Sequence, residues 1–466
     1  GVDTVVDAGF DTGVDGGVDG GLKAYFVSPG SASTDWPAGR DIGSPVTVQT
    51  AFENARAGDL VFFRGGTYTI PQNNREDRTY HGTYEWAASG TGDPDDERIV
   101  FRAFPGEIPV INGTTGGSCD GSSACPPGIF ATPFAAVGRK FITVDGFVFQ
   151  ADGGTKMARF LSFQSQGIAI KNCTLSGGSS VATCVDNLEG IRIEQSQNVL
   201  VSNCRISGYR ESTNNHNTSA IKTYNTDLLT FENNGISDST NGIYLKRESM
   251  RSTVRYNFIN RIARYGIQMW VYSHWHADGN MFFNNIIANI GKNDGSTLSS
   301  AIYLEHEDLG NTMNDLSIYN NTIYNNTTDG QGIFGGCYTF TEQWNFFDNI
   351  VIVKSPNFNM GVMHEARLTT CDHNQWGAAP RLSVGGYPGG SGSSVYTDLG
   401  SWQGSGQLIG GGDPGSGDMA SGPMFLNSSG NMDVAGDFLL HGGSPCKGAG
   451  RSGGDMGADI ASVGVR

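Results

Sequence analysis

The chain has 466 residues, a formal net charge of −16, 68 glycines and only 16% charged residues. An acidic excess of this size argues against a general nucleic-acid binder, which needs a basic face. It also argues against long-range capture of a polyanion, although a local basic groove can still hold one. No run of about 18 apolar residues is present, so no membrane-spanning helix is expected.

Residues 1–22 are expected to form a separate tail or linker ahead of one domain over 23–466. The tail is built from the tetrapeptides GVDT, VVDA, GFDT, GVDG and GVDG, with Asp3, Asp7, Asp11, Asp15 and Asp19 at every fourth place. Like charges and abundant glycine predict an extended, solvated segment. It reads as a spacer between a removed signal or lipid anchor and the domain. The recurring Val2, Val6, Phe10, Val14 and Val18 also allow docking on a neighbouring molecule's strand edge, and so self-assembly.

Folding is expected to begin at Lys23, with a strand at Tyr25-Phe26-Val27 and a short amphipathic helix from Val48 to Ala55 stopped by Gly58. A second strand follows from Asp59. A helix ahead of the first complete turn suits a cap on an open solenoid end.

From Phe160 to about Asn349 one phrase recurs: a small residue, an apolar one, a variable one and usually a second apolar one. It starts at Gly190, Ala220, Gly242, Gly266, Ala301 and Gly332, with Ile191, Ile221, Ile243, Ile267, Ile302 and Ile333 in second place. Each phrase leads to a segment marked by Cys173, Cys204, Asn234, Asn257, Asn285, Asn321 or Asn349. Alternation with period two predicts strands, and the recurrence predicts a solenoid. One amide per turn predicts a stacked side-chain ladder. The fold class is therefore all-β, a single-stranded right-handed parallel β-helix. The isoleucines and the asparagines each form one interior column, and residues 384–422, rich in Gly and Ser, form long loops.

If the Ile column faces inward, two columns face outward. One reads Leu161, Arg192, Lys222, Tyr244, Gln268, Tyr303, Phe334 and the other Phe163, Glu194, Tyr224, Lys246, Trp270, Glu305, Gly336. Aromatic platforms with charges between them suit a polysaccharide groove on an exposed face. Loops leaving that face bring His274, His276, Glu305, His306 and Glu307 toward Lys246 and Arg247, with His216 nearby. Such groups either ligate a divalent metal or transfer protons. Cys173 and Cys204 read as stacked buried thiols, whereas Cys119–Cys125 and Cys337–Cys371 are disulfide candidates of an exported protein.

The stretches YFVSPG (Tyr25 to Gly30), QTAFENARAGDLVFFRGGTY (Gln49 to Tyr68) and FRAFPGEIPVING (Phe101 to Gly113), with the closing segment Asp437 to Ala458, resemble the pectin-lyase-like superfamily of secreted bacterial right-handed β-helix proteins. The turn from Ile243 to Ser249, with Arg255-Tyr256-Asn257, is similar to the site turn of chondroitinase B-like and alginate lyases. There a Lys acts as Brønsted base, and Lys246 matches it. The resemblance implies a secreted or surface-tethered enzyme on an extracellular polysaccharide, most simply a lyase cleaving uronic-acid linkages by β-elimination. Lys246 is the expected base, with Tyr303 or His306 as acid and Glu305 beside them. Arg192, Lys222, Tyr224, Tyr244, Arg247, Gln268, Trp270 and His276 are the expected substrate contacts. The cofactor is either none or a divalent cation such as Ca2+. Two alternatives stand: a glycoside hydrolase using Glu305 with Glu307 or Glu194, and a non-catalytic surface or filament protein.

Overall fold

A computed structural model describes residues 23–70, 80–113, 130–151, 158–177, 188–210, 217–272, 275–291, 299–306, 311–325, 327, 330–337, 343–354, 356–364, 367–385, 392–406, 414–415, 417–427 and 432–466. The tail over 1–22 and the Cys119–Cys125 pair lie outside them. The period-two segments form short strands that visit three sheets in turn: Glu189–Glu194 lies in what we call the second sheet, Leu200–Ser202 in the first and Arg205–Ser207 in the third. The sheets hold twelve, twelve and ten strands among the described residues. Among the described residues the strands pair in parallel, except Leu382–Gly385 with Ser394–Tyr396, and an isolated bridge between Phe425 and Leu440 is antiparallel as well. This is the expected right-handed parallel β-helix.

Register follows the phrase. Ile191, Ile221, Ile243, Ile267, Ile302 and Ile333 are consecutive partners in the second sheet, and all are buried in the core. The small residue before each Ile is a steric requirement. A Cβ at Gly242 would lie 2.3 Å from the carbonyl oxygen of Gly266 in the next turn, a distance no side chain tolerates.

The amide ladder forms and runs past Asn349. Asn234, Asn257, Asn285, Asn321 and Asn349 each donate through Nδ2 to Oδ1 of the next, at 2.9, 2.9, 3.0, 3.0 and 3.0 Å, the last step reaching Asn374. The same Oδ1 atoms accept the preceding Asn backbone N–H at 3.0–3.1 Å. Cys173 and Cys204 continue the column as free buried thiols, and Cys204 N–H donates to Asn234 Oδ1 at 2.9 Å.

Asp418 closes the far end. Its Oδ1 accepts from Asn374 N–H at 2.7 Å, and its Oδ2 accepts from the indoles of Trp376 and Trp402 at 2.7 and 3.3 Å. Residues 384–422 are therefore not loops alone, because the helix Leu399–Gln403 carries the fully buried Trp402 onto this carboxylate. The predicted helix spans Val48–Asn54, with Thr47 accepting the Thr50 N–H as its N-cap, and packs Phe52 against the rings of Trp86, Phe101 and Phe134. The Cys337–Cys371 disulfide does not form: Cys371 is a free buried thiol. It sits on Arg367–Asp372 in the first sheet, whereas Cys337 ends a strand of the second.

Residues just before the ladder adopt left-handed backbone: Asn172, Asn203, Asn233, Asn284 and Asn320 have φ of 51–56°, a conformation Asn tolerates better than most residues. The amides of Asn203, Asn233, Asn284 and Asn320, with the Asp348 carboxylate at the same place in its turn, clasp the C-terminal segment. Arg451 N–H donates to Asp348, Asn320 donates to Asp455 O, Asp459 N–H donates to Asn284, and Asn203 donates to Arg466 O. The segment from 451 to 466 thus runs back along the stack.

Two outcomes test the ladder. Asn285→Leu orphans the backbone N–H of Asn257, while Asn257 Nδ2 keeps the carbonyls of Phe231 and Arg255. A buried donor without a partner costs about 1–3 kcal/mol, so unfolding free energy in urea should fall by on the order of 2 kcal/mol. Burial pushes Asp418 up from its ordinary 3.8 to about 6, its indole and amide donors limiting the rise. A raised carboxyl favours the protonated folded state, so this group stabilises most below its unfolded pKa and loses that contribution as pH rises through about 6. Asp418→Asn should flatten the pH dependence of the urea midpoint across that window.

Candidate functional site

The outward columns of the second sheet have the expected register. Arg192 pairs with Lys222, Lys222 with Tyr244, Tyr244 with Gln268 and Gln268 with Tyr303; Glu194, Tyr224, Lys246, Trp270 and Glu305 follow in the second column. Their environment differs from the expected exposed patch. Arg192 is 3% exposed, Lys222 and Tyr244 0%, and Lys246, Tyr224 and Tyr303 7%. The face is a buried layer outside the solenoid core, and Tyr80 and Asn217 reach over it.

Stacking in register would set Arg192 against Lys222, and a third residue resolves the repulsion. Glu189, fully buried, lies 3.1 Å from Arg192 and 3.4 Å from Lys222. Arg192 also binds Glu194 at 2.8 Å, and Glu194 accepts the Tyr80 hydroxyl at 2.8 Å. Burial alone would lower Arg192, but Glu189, Tyr224 and Glu194 hold it above its ordinary value. Arg192 and Lys222 are thus balanced by carboxylates and form the wall of the site.

Beyond that wall the aromatic content rises. Lys246 Nζ lies 5.0–5.7 Å from the ring centroids of Trp270, Tyr224, Tyr244 and Tyr272, and donates to Asn217 Oδ1 at 3.0 Å. Four rings at this range stabilise a cation. Asn217 also accepts from Lys222 Nζ at its backbone oxygen, at 2.8 Å. Register shifts immediately after Tyr224, and at this bulge Arg247 takes φ of 60° and donates to the Tyr272 hydroxyl at 2.6 Å. Among the described residues Arg247 has no ion-pair partner. The cluster reaches the surface at Arg247, Trp270, Tyr272 and Glu305, each partly exposed.

At the other end Tyr265, Tyr303 and Phe334 stack face to face at 4.2 and 5.2 Å. Tyr303 donates its hydroxyl to Glu305. Rings stacked on one another show edges, not faces, so they line the site and are not platforms for a sugar. Burial raises Tyr303, Tyr224 and Tyr244, and pushes Tyr265 up to about 12; these phenols stay protonated near neutral pH. Several buried polar atoms here lack hydrogen-bond partners: Gln268 Oε1, Trp270 Nε1, and Nε and Nη1 of Arg264, whose guanidinium lies 4.9 Å over the Tyr265 ring.

Glu189, Asn217, Arg264 and Tyr80 were not singled out from the sequence. Three of them precede the phrase, where period two breaks because the small residue and the Ile both face the core. Conversely, His276 does not join the cluster's bonds: it is exposed and shares a 2.9 Å hydrogen bond with Thr312. His306 pairs with Val271 in register, while His216, His274 and Glu307 lie outside the described residues. Among the described residues no group of three or more His, Cys, Asp or Glu is placed to hold a metal ion.

The architecture is that of a right-handed parallel β-helix. Residues 156–301 match the model of the right handed beta helix region. Two solved structures share the fold over nearly the whole chain. Pectate lyase Pel9A is 13% identical, with a TM-score of 0.51 and coverage of 93% of this chain and 95% of that one. A rhamnogalacturonan lyase is also 13% identical, with a TM-score of 0.51 and coverage of 90% and 95%. No curated protein sequence matches the chain.

The wall makes its own prediction. Glu189→Gln leaves Arg192 and Lys222 short of a buried counter-charge, and breaking such a pair typically costs about 3–5 kcal/mol. Urea unfolding should show a loss of that size, far above the effect of replacing the exposed Glu53 by Gln.

Proposed function

We propose that the protein is an extracellular or surface-tethered polysaccharide-active enzyme, a lyase that cleaves uronic-acid linkages by β-elimination. One observation carries this reading: Lys246 and Arg247 are adjacent at the bulge, where a buried aromatic cluster reaches the surface, and Arg247 has no carboxylate bound to it among the described residues. The names of the two fold neighbours, a pectate lyase and a rhamnogalacturonan lyase, accord with it.

The reaction needs the substrate carboxylate neutralised, the α-proton removed and the leaving oxygen protonated. In this reading Arg247 neutralises the carboxylate. The Lys246 amine takes the proton, the C–H electrons become the new double bond, and the glycosidic C–O bond breaks. A buried phenol suits the acid, because burial keeps Tyr303 protonated; the leaving oxygen takes that proton. Arg192 and Lys222, bound to carboxylates, hold Tyr224 and the wall in place. Tyr244, Gln268 and Trp270 line the pocket, the last two offering unpartnered polar atoms to a sugar.

Of the two hydrolase pairs, Glu305 with Glu194 fits less well, while Glu307 lies outside the described residues. Glu194 and Glu305 occupy one column four strand spacings apart, roughly 19 Å at ~4.8 Å each. Glycoside hydrolysis needs its two carboxyl groups within about 5–9.5 Å.

Incubation with a panel of uronate polysaccharides should release products absorbing in the ultraviolet through the new conjugated double bond. Lys246→Met and Arg247→Gln should each lower kcat/KM by on the order of 100-fold or more, as expected for loss of a general base or a charge-stabilising group. Reducing ends without the absorbance would sink the lyase reading in favour of hydrolysis.

A further inference from the structure

Arg247 is the last member of a column that begins three turns earlier. The residue after each outer pair of the second sheet is left-handed in successive turns: Gln164 (φ 51°), Gln195 (49°), Asn225 (51°) and Arg247 (60°). Two residues further on, Gln166, Gln197 and Asp227 are joined by parallel bridges. Between the two rows runs a groove of about 310 Å³, walled also by Lys140 and Glu248. Gln164 and Gln195 are exposed, and Gln164 donates to Gln195 at 3.0 Å. Asn225 Oδ1 is buried and has no hydrogen-bond partner.

The choice of residues is informative. Left-handed backbone costs a non-glycine residue about 1–2 kcal/mol, and Gly or Asn meets it most cheaply. Gln164 and Gln195 occupy such positions with the longer amide, so turn geometry alone does not explain them. The groove's charges cancel: Asp227 is held by the Arg251 guanidinium, whose Nε lies 2.8 Å away, and Lys140 offsets Glu248. No aromatic ring lines it. Primary amides both donate and accept, as a hydroxyl-rich ligand requires, and the balanced charge of the lining gives an anion no net attraction.

We infer that this groove is a subsite for an uncharged sugar residue of the polysaccharide, its left-handed column ending at Arg247, beside which the uronate sits in the proposed reading. Three strand spacings, roughly 14 Å, separate Gln164 from Arg247. The substrate class that follows is a heteropolysaccharide carrying neutral sugars beside its uronates. This inference rests on the proposed function for its orientation, but its binding test does not depend on catalysis.

The full chain is titrated calorimetrically with neutral hexasaccharides (xylohexaose, mannohexaose, cellohexaose and galactohexaose) and with hexagalacturonate and hexamannuronate. At least one neutral probe should bind, and Gln164→Leu and Gln195→Leu should each weaken it by about tenfold, the loss expected for one or two hydrogen bonds. Both positions are exposed, so thermal unfolding of the variants should match the wild type. Failure of every neutral probe to bind, or binding unmoved by either substitution, overturns the subsite. An absence of unsaturated products in the polysaccharide assay, with neutral binding lost in the Leu variants, overturns the lyase reading and leaves the subsite standing.

Discussion

In a solenoid of parallel strands each side chain lies about one strand spacing, ~4.8 Å, above its counterpart in the next turn. Like therefore stacks on like, and each column must be made of groups that tolerate their own kind. Isoleucine does so by packing. Asparagine does so because an amide is donor and acceptor at once, so each Asn satisfies the next while its N–H groups also serve backbone carbonyls. Charged residues cannot follow this rule unaided. Where Arg192 stacks on Lys222, a buried carboxylate from Glu189 stands between them. Where the ladder ends, Asp418 supplies acceptors to the last amide and to two indoles.

The same rule shapes the outer face of the second sheet. Lys246 follows Tyr224 and precedes Trp270 in its column, and so rests among rings and not against another cation. Buried charge is expensive unless matched. Arg192 and Lys222 are matched within the chain, whereas Arg264 keeps two buried nitrogens without partners. A substrate carboxylate would supply the missing counter-charge, which makes the imbalance itself a reason to read this face as a binding site.

The inward half of the fold was legible because it is periodic. The Ile column, the Asn column and the thiols at Cys173 and Cys204 all follow from spacing alone. The outer columns were legible in register but not in environment, since alternation says which way a side chain points and nothing about what covers it. Lys246 was therefore expected to be exposed and is buried. Glu189 and Arg264 escaped notice because the alternation breaks at the small residue that precedes each Ile. A signal for the C-terminal clasp was present in the doublets Asn233-Asn234, Asn284-Asn285 and Asn320-Asn321, whose first members are left-handed. The Cys337–Cys371 pairing failed because sequence distance carries no information about which sheet a residue joins.

The central claim is that a uronate carboxylate occupies the pocket behind the bulge at Arg247. The most direct measurement is a crystal structure of the Lys246→Met variant, unable to turn over substrate, soaked with a uronate tetrasaccharide. The account predicts a carboxylate against the Arg247 guanidinium, with the sugar's α-carbon facing position 246. A tetrasaccharide bound on the outer face of the first sheet, or one whose carboxylates all point away from Arg247, would contradict it.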